Sequence, residues 1–228
     1  MAKITWKGSA LLAPVPPVMV TCGSGENANI ITVAWAGIIN THPPRVSISV
    51  RPTRHSYRLI KDSGEFIINL TPVSLVSAAD YCGMYTGAKV DKFAATGLHQ
   101  EDAQVVACPQ IAECPLSLEC KVIDVQPQGT HDLFIAEVVA TNVDESLLDE
   151  SGKLCLDRAG LAAFAHGAYY AVGQQIGKFG FSVTKEGKRS KVHTQRQTVR
   201  PDKPTRASAD KTKTKSGADT PEKKSKNR

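Results

Sequence analysis

The sequence predicts a mainly β fold: an antiparallel barrel, closed or partly closed, interrupted by a few short helices. Three observations carry that expectation. Runs rich in β-branched and aromatic residues recur, among them VSISV at 46–50, FIINL at 66–70, LSLECKVIDV at 116–125 and LFIAEVVATNV at 133–143. Such side chains suit a pleated, half-buried surface. Clusters of Gly, Pro, Asn and Asp separate the runs, where a parallel sheet would need regular helical crossovers of roughly 10–15 residues. The helical segments that remain are short. With 228 residues, 41% of them hydrophobic, the chain has material for a real core.

Taken in order, a strand at about 18–22 leads into TCGSGENANIITVAWAG, residues 21–37, with Gly23, Gly25 and Ala28 in a G-x-G-x-x-A spacing. That spacing suggests a dinucleotide phosphate turn, but such a turn must open a helix whose N-terminus carries the pyrophosphate. Here Asn29, Ile30, Ile31, Thr32 and Val33 follow, a strand-forming run. No Asp or Glu stands between Glu26 and Asp62 to hold a ribose hydroxyl. The segment therefore reads as a β-hairpin. After strand 46–50, a helix is expected with Ser56 as its N-cap, running through YRLIKD, and strand 66–70 follows the Gly64 turn. A second helix is expected over 73–82 and a third from Asp91 to Gly97. Leu116, Leu118, Cys120 and Val122 share one face of the next strand. The turn PQGTHD then leads into 133–143. One domain over residues 1–180 is expected, followed by a tail at 185–228.

The net charge of +6 conceals an asymmetry. Residues 1–184 hold 13 Lys and Arg against 17 Asp and Glu, net −4, whereas 185–228 hold 15 against 5, net +10. The tail has almost no apolar residues to offset chain entropy, so it is expected to be disordered. It reads either as a solvated segment that aids solubility or as an arm that touches nucleic acid or other acidic surfaces. It has no aromatic residue for base stacking, so any nucleic-acid contact would be weak and electrostatic. The six cysteines form no C-x-x-C pair and no zinc-like spacing, and no metal site is expected. They read as small buried apolar residues in a reducing, cytoplasmic setting, with a reactive thiol at Cys82 as the other reading. Pro14, Pro16 and Pro17 break the apolar stretch at 9–20 as a signal segment. The longest apolar run, 159–173, is too short to span a membrane.

Chemistry concentrates in SVRPTRHSYRLI, residues 49–60, where Arg51, Thr53, Arg54, His55 and Ser56 lie between a strand end and a helix start. Guanidinium groups, hydroxyls and free helix amides together suit a phosphate monoester. The other reading is a solvated junction with an ordinary Ser cap. The segment YCGMYTGAKVDKFAATGL, 81–98, adds Thr86, Lys89 and Lys92 around Gly83 and Gly87, as a ligand-covering loop or a plain surface loop. In the hairpin, Asn29 and Thr32 beside Ala34 and Trp35 offer polar groups to the edge of a flat heterocycle, unless Asn29 merely caps its turn. His131 and Glu137 read as satisfied structural groups. No Ser-His-Asp, Cys-His or paired-carboxylate arrangement is defensible, so no catalytic residue is assigned.

In sequence order, NANIITVAWAG, PPRVSISVRPTRHSY, GEFIINL, YTGAKVDKFAATGL, LECKVIDV and GTHDLFIAEVVATNV, with YYAVGQQIGKFG more loosely, resemble the flavin reductase-like family of FMN-binding split β-barrels, which includes flavoredoxin. The likeness covers about 10–180 and excludes the basic tail. It implies a Greek-key split barrel that binds FMN non-covalently, commonly at a homodimer interface. Position by position, it implies that Asn29, Thr32, Val33, Ala34 and Trp35 face the isoalloxazine edge. Ser49, Val50, Arg51, Arg54, His55 and Ser56 would serve the ribityl phosphate. Thr86 and Lys92 would lie in the loop that closes over the flavin. The sequence departs from the family pattern at Thr86, where many relatives carry serine, and in the cysteine-rich stretch 108–120.

Two functions are compatible with that resemblance. One is an NAD(P)H-dependent FMN reductase, in which the protein supplies position and electrostatics and the cofactor supplies the chemistry. The other is an electron carrier that exchanges electrons with a redox partner protein. A third, unrelated reading is a barrel that binds nucleic acid through its tail.

Overall fold

Alternation of side chains along each strand decides which face of the sheet they serve, and three apolar clusters result. Val18, Val20 and Cys22 of β1 (Val18–Cys22) point one way with Ile31 and Val33 of β2 (Asn29–Val33). Val46, Ile48 and Val50 of β4 (Pro44–Val50) and Phe66 and Ile68 of β5 (Glu65–Asn69) join them. Met19, Ile30 and Ile67 take the opposite face. Both faces are therefore apolar, and each is covered.

A computed structural model describes residues 1–183. The other strands are β3 (Ala36–Thr41), the two-residue β6 (Gln100–Glu101) and β7 (Gln110–Ile111), the 12-residue β8 (Leu116–Pro127) and β9 (Asp132–Val143), and the hairpin pair β10 (Ala162–Ala165) and β11 (Ala168–Ala171). Seven strands form one antiparallel sheet in the order β2-β1-β5-β8-β9-β4-β3, curled into a half-barrel. The crossover from β4 through helix α1 (His55–Ser63) returns β5 beside β1, which gives the non-sequential order expected of a Greek key. The chain divides into two units after Ile176. Of the second unit only residues 177–183 are described, with a 3-10 turn at Phe181–Val183. The tail expected at 185–228 lies outside the described residues.

The helices differ from expectation in their boundaries. The segment expected as one helix over 73–82 is a 3-10 turn, Val73–Leu75, followed by α2 (Val76–Met84). Ser56 is not the cap of α1. The helix starts at His55 with Arg54 in the cap position, and Ser56 is buried because it supplies an acceptor for Asn29. The third helix, α3 (Lys92–Thr96), follows its sequence signals: Asp91 caps it by accepting from the Ala94 amide, and Gly97 ends it in the left-handed region at φ 70°. Among the described residues no helix is long and apolar enough to cross a membrane.

One buried acid secures the loop before β7. Glu119 is 0% exposed, and its carboxylate accepts from the amides of Gln104, Val105 and Val106 and from Asn142 Nδ2. Burial alone would raise its pKa, but these bonds together outweigh burial and hold it below the usual carboxylate value. The unfolded chain therefore binds the proton more readily. The stabilisation is present above the ordinary value of 4.5 and is lost as pH falls through the lowered one. Glu119→Gln should cost about 1–3 kcal/mol at pH 7, read by urea denaturation, with a smaller difference from wild type at acid pH.

Candidate functional site

Antiparallel pairing of β4 with β9 sets Val50 opposite Asp132, so Arg51 and His131 emerge side by side just past the strand ends. Arg51 Nε donates to His131 Nε2 at 3.3 Å, while His131 Nδ1 lies 2.9 Å from Thr130 Oγ1. Partial burial, then Arg51 and Arg54, push the imidazole below its ordinary pKa. The neutral ring accepts from Arg51 and stands edge-on to Trp35, with centroids 4.4 Å apart. Sequence reading placed His131 among satisfied structural groups. It is satisfied, and it also lines a hollow.

That hollow encloses about 200 Å³ and is bounded by Thr32, Val33, Ala34 and Trp35 from the β2–β3 turn. Ser49 and Val50 of β4 and Phe164 of β10 complete its wall. A second hollow of about 180 Å³ is formed by Asn29, His55, Ser56, Thr86 and Lys92, among others. Both share Ile31, Arg51 and Arg54, so they adjoin. Neither alone reaches the roughly 300–1,000 Å³ of a small-molecule site, and joined they do. Every residue that the resemblance assigned to the cofactor lines one or the other, whereas Lys89 and Glu137 line neither, and two groups change ends. Asn29 stands with the cations rather than with the ring-edge residues, and Ser49 and Val50 stand on the aromatic side.

The cationic hollow is built by three elements. Arg54 and the first turn of α1 form one wall, and no side chain caps that helix, although its Tyr57 amide already donates to the Arg54 carbonyl. The β1–β2 hairpin contributes Asn29, whose Nδ2 donates to Ser56 Oγ at 2.7 Å and ties hairpin to helix. The loop after α2 contributes Thr86 and Gly87. A Cβ on Gly87 would lie 2.1 Å from Asn29 Oδ1, so only glycine lets the loop approach. Gly87→Ala should force Asn29 off Ser56 and cost about 1–3 kcal/mol in urea denaturation.

Two residues expected to reach a ligand directly are already engaged. Thr32 Oγ1 donates to the Ala79 carbonyl of α2, so its hydroxyl braces the helix. Lys92 is only 4% exposed, and its ammonium donates to the carbonyls of Ile30 at 2.6 Å and Cys82 at 2.8 Å. Burial lowers its pKa, and among the described residues no carboxylate is paired with it. A buried cation without an acid, beside two exposed guanidinium groups and no Asp or Glu in the wall, is a site built for an anion. Lys92 still has a third proton to offer.

Cys82 also lines this hollow, but burial raises its thiol pKa to about 11. Cys22, beneath Asn29, is raised to about 12 by the same cause. Both thiols are also fully buried, and burial together with the raised pKa argues against the reactive-thiol reading. Phe164, Ile31 and Tyr85 were not singled out by sequence reasoning. For Phe164 the missing signal was strand character: the segment around it is alanine-rich, without the β-branched alternation that marks the other strands.

An acid-free cationic hollow and an aromatic one therefore adjoin on a curled antiparallel half-barrel. The flavin reductase like domain matches residues 11–173. Among solved structures, flavoredoxin of Desulfovibrio vulgaris (Miyazaki F) is 32% identical, with TM-score 0.75, covering 80% of this chain and 100% of that one. Flavoredoxin from Methanosarcina acetivorans is 26% identical, with TM-score 0.73, covering 82% and 98%. An FMN-binding protein from Thermus thermophilus, with bound 1-cyclohex-2-enone, is 25% identical, with TM-score 0.63, covering 75% and 93%. The chain belongs to the flavin reductase-like family, and its fold is that family's split barrel.

Proposed function

We propose that this protein binds FMN non-covalently and works as a flavin oxidoreductase, taking hydride from NADH or NADPH and passing electrons onward to an acceptor. The observation that carries the reading is the pair of adjoining hollows, one cationic and one aromatic, that share Arg51 and Arg54. The residues present fit the group. Arg51 and Arg54 offer charge-assisted donors to a phosphate, and the leading amides of α1 add the positive end of a helix. Val33, Ala34 and Trp35 supply an apolar wall for a flat ring, with Ala34 small enough to leave one face accessible. Bound FMN would supply hydride acceptance at its ring system. The chain orients it, and His131 keeps Arg51 in place by accepting from Nε. None of these side chains is assigned a proton-transfer role.

A homodimer is part of this proposal. The edge strand β3 leaves Ile38 81% exposed and Ile39 exposed beside Trp35, an apolar edge that a second copy would cover, and light scattering reads the mass directly. The cysteines described are all free, consistent with a reducing cytoplasmic setting. The likeness to flavoredoxins favours a second reading, an electron carrier served by a redox partner protein. Adding NADH or NADPH to the FMN-loaded protein separates the two. Repeated bleaching of the flavin band supports the reductase, and reduction only through a partner protein supports the carrier.

A further inference from the structure

The cationic hollow has an aromatic rim that a phosphate alone does not use. Helix α2 ends at Met84, and Tyr85 caps it with its amide on the Tyr81 carbonyl. Tyr81 and Tyr85 are therefore four residues apart on one face, and their rings stack with centroids 4.3 Å apart and planes 25° apart. Tyr81 covers one side of Tyr85, yet Tyr85 remains 52% exposed. A lone exposed aromatic would mean little. This one also lines the hollow, next to Arg54, His55 and Thr86.

Charge points the same way. Arg51 and Arg54 contribute two exposed cations to the hollow, with the buried Lys92 in the same wall and no acid in it. Lys89 is exposed one turn beyond Thr86, its amide bonded to the Thr86 carbonyl at 3.1 Å. A flavin monophosphate brings a charge of roughly −2 and nothing to lay on the tyrosine. A ligand that continues past its first phosphate to a second, and then to a flat base, would use the surplus charge and the free ring face together.

Resting on the FMN reading above, we infer that Tyr85, held flat by Tyr81 at the rim of the cationic hollow, is the stacking seat for the adenine half of a dinucleotide. The shared chemistry is an adenosine diphosphate moiety. It can arrive as part of FAD in place of FMN, or as part of the pyridine nucleotide that meets the FMN-loaded protein. Stacking on an aromatic tolerates any base, so the second phosphate, held by the surrounding cations, supplies the selectivity.

The test uses the full chain. Flavin-free protein is titrated with FMN and with FAD, and FMN-loaded protein with ADP-ribose, in wild type, Tyr85→Ala and Tyr85→Phe. Tyr85→Ala is expected to weaken FAD or ADP-ribose roughly tenfold while FMN changes less than about twofold, and Tyr85→Phe to behave as wild type. Loss confined to FAD assigns the seat to the flavin, and loss confined to ADP-ribose assigns it to the pyridine nucleotide. Equal losses for FMN and FAD, or no loss for either adenine ligand, would overturn the inference. Wild type that binds FMN but neither adenine ligand would overturn it alone. Wild type that binds no flavin would take the FMN reading down with it.

Discussion

On the FMN reading, replacing Arg51 and Arg54 together by alanine is expected to lower FMN affinity by about 10²–10⁴-fold and to leave the fold intact. Each guanidinium offers charge-assisted hydrogen bonds worth about 1.5–3 kcal/mol to an anion, and the two losses act on one phosphate. Both side chains are exposed, and among the described residues their one side-chain hydrogen bond runs from Arg51 Nε to His131. Removing them costs the flavin-free protein less than about 0.5 kcal/mol, as for ordinary surface positions. Fluorescence titration and gel filtration read the affinity, and urea denaturation reads the fold. Retained FMN in the double variant would refute the phosphate assignment.

Lys92→Ala has a different signature. Its ammonium joins β2 to α2 through the carbonyls of Ile30 and Cys82, at the first position of α3. Truncation leaves two buried acceptors without partners, each costing about 1–3 kcal/mol, partly offset because a cation is no longer held out of water. The net loss expected is about 2–4 kcal/mol, together with weaker FMN binding. Stability and affinity fall together, whereas in the arginine pair only affinity falls. That contrast separates a strut in the wall from a group that meets the ligand, and equal behaviour of the two variants would contradict it.

How much of this was legible in the sequence follows from how local each signal is. Asp91 and Gly97 announce α3 because a cap and a left-handed terminator act within one turn. The β1–β2 hairpin was readable because Ile30, Ile31 and Val33 follow a glycine turn. The Arg51–His131 contact joins residues 80 apart in the chain and depends on the β4–β9 register, which no local pattern encodes. The β10–β11 hairpin was hidden by its alanines, although His166 and Gly167, with φ of 48° and 85°, mark a turn that splits the apolar run. Ser56 misled because serine before a helical pattern usually caps. Here Asn29 draws it into the core. Lys92 was legible as a cation beside the glycine loop, whereas its burial at 4% exposure shows only in the packing.

If the cationic hollow holds a phosphate, two ligands that differ only there are the most direct comparison. Flavin-free protein is titrated with FMN and with riboflavin at equal ionic strength. The expected result is FMN binding at least about 100-fold more tightly, with the gap closing in the Arg51→Ala, Arg54→Ala protein. Equal affinities for FMN and riboflavin in the wild type would contradict the account.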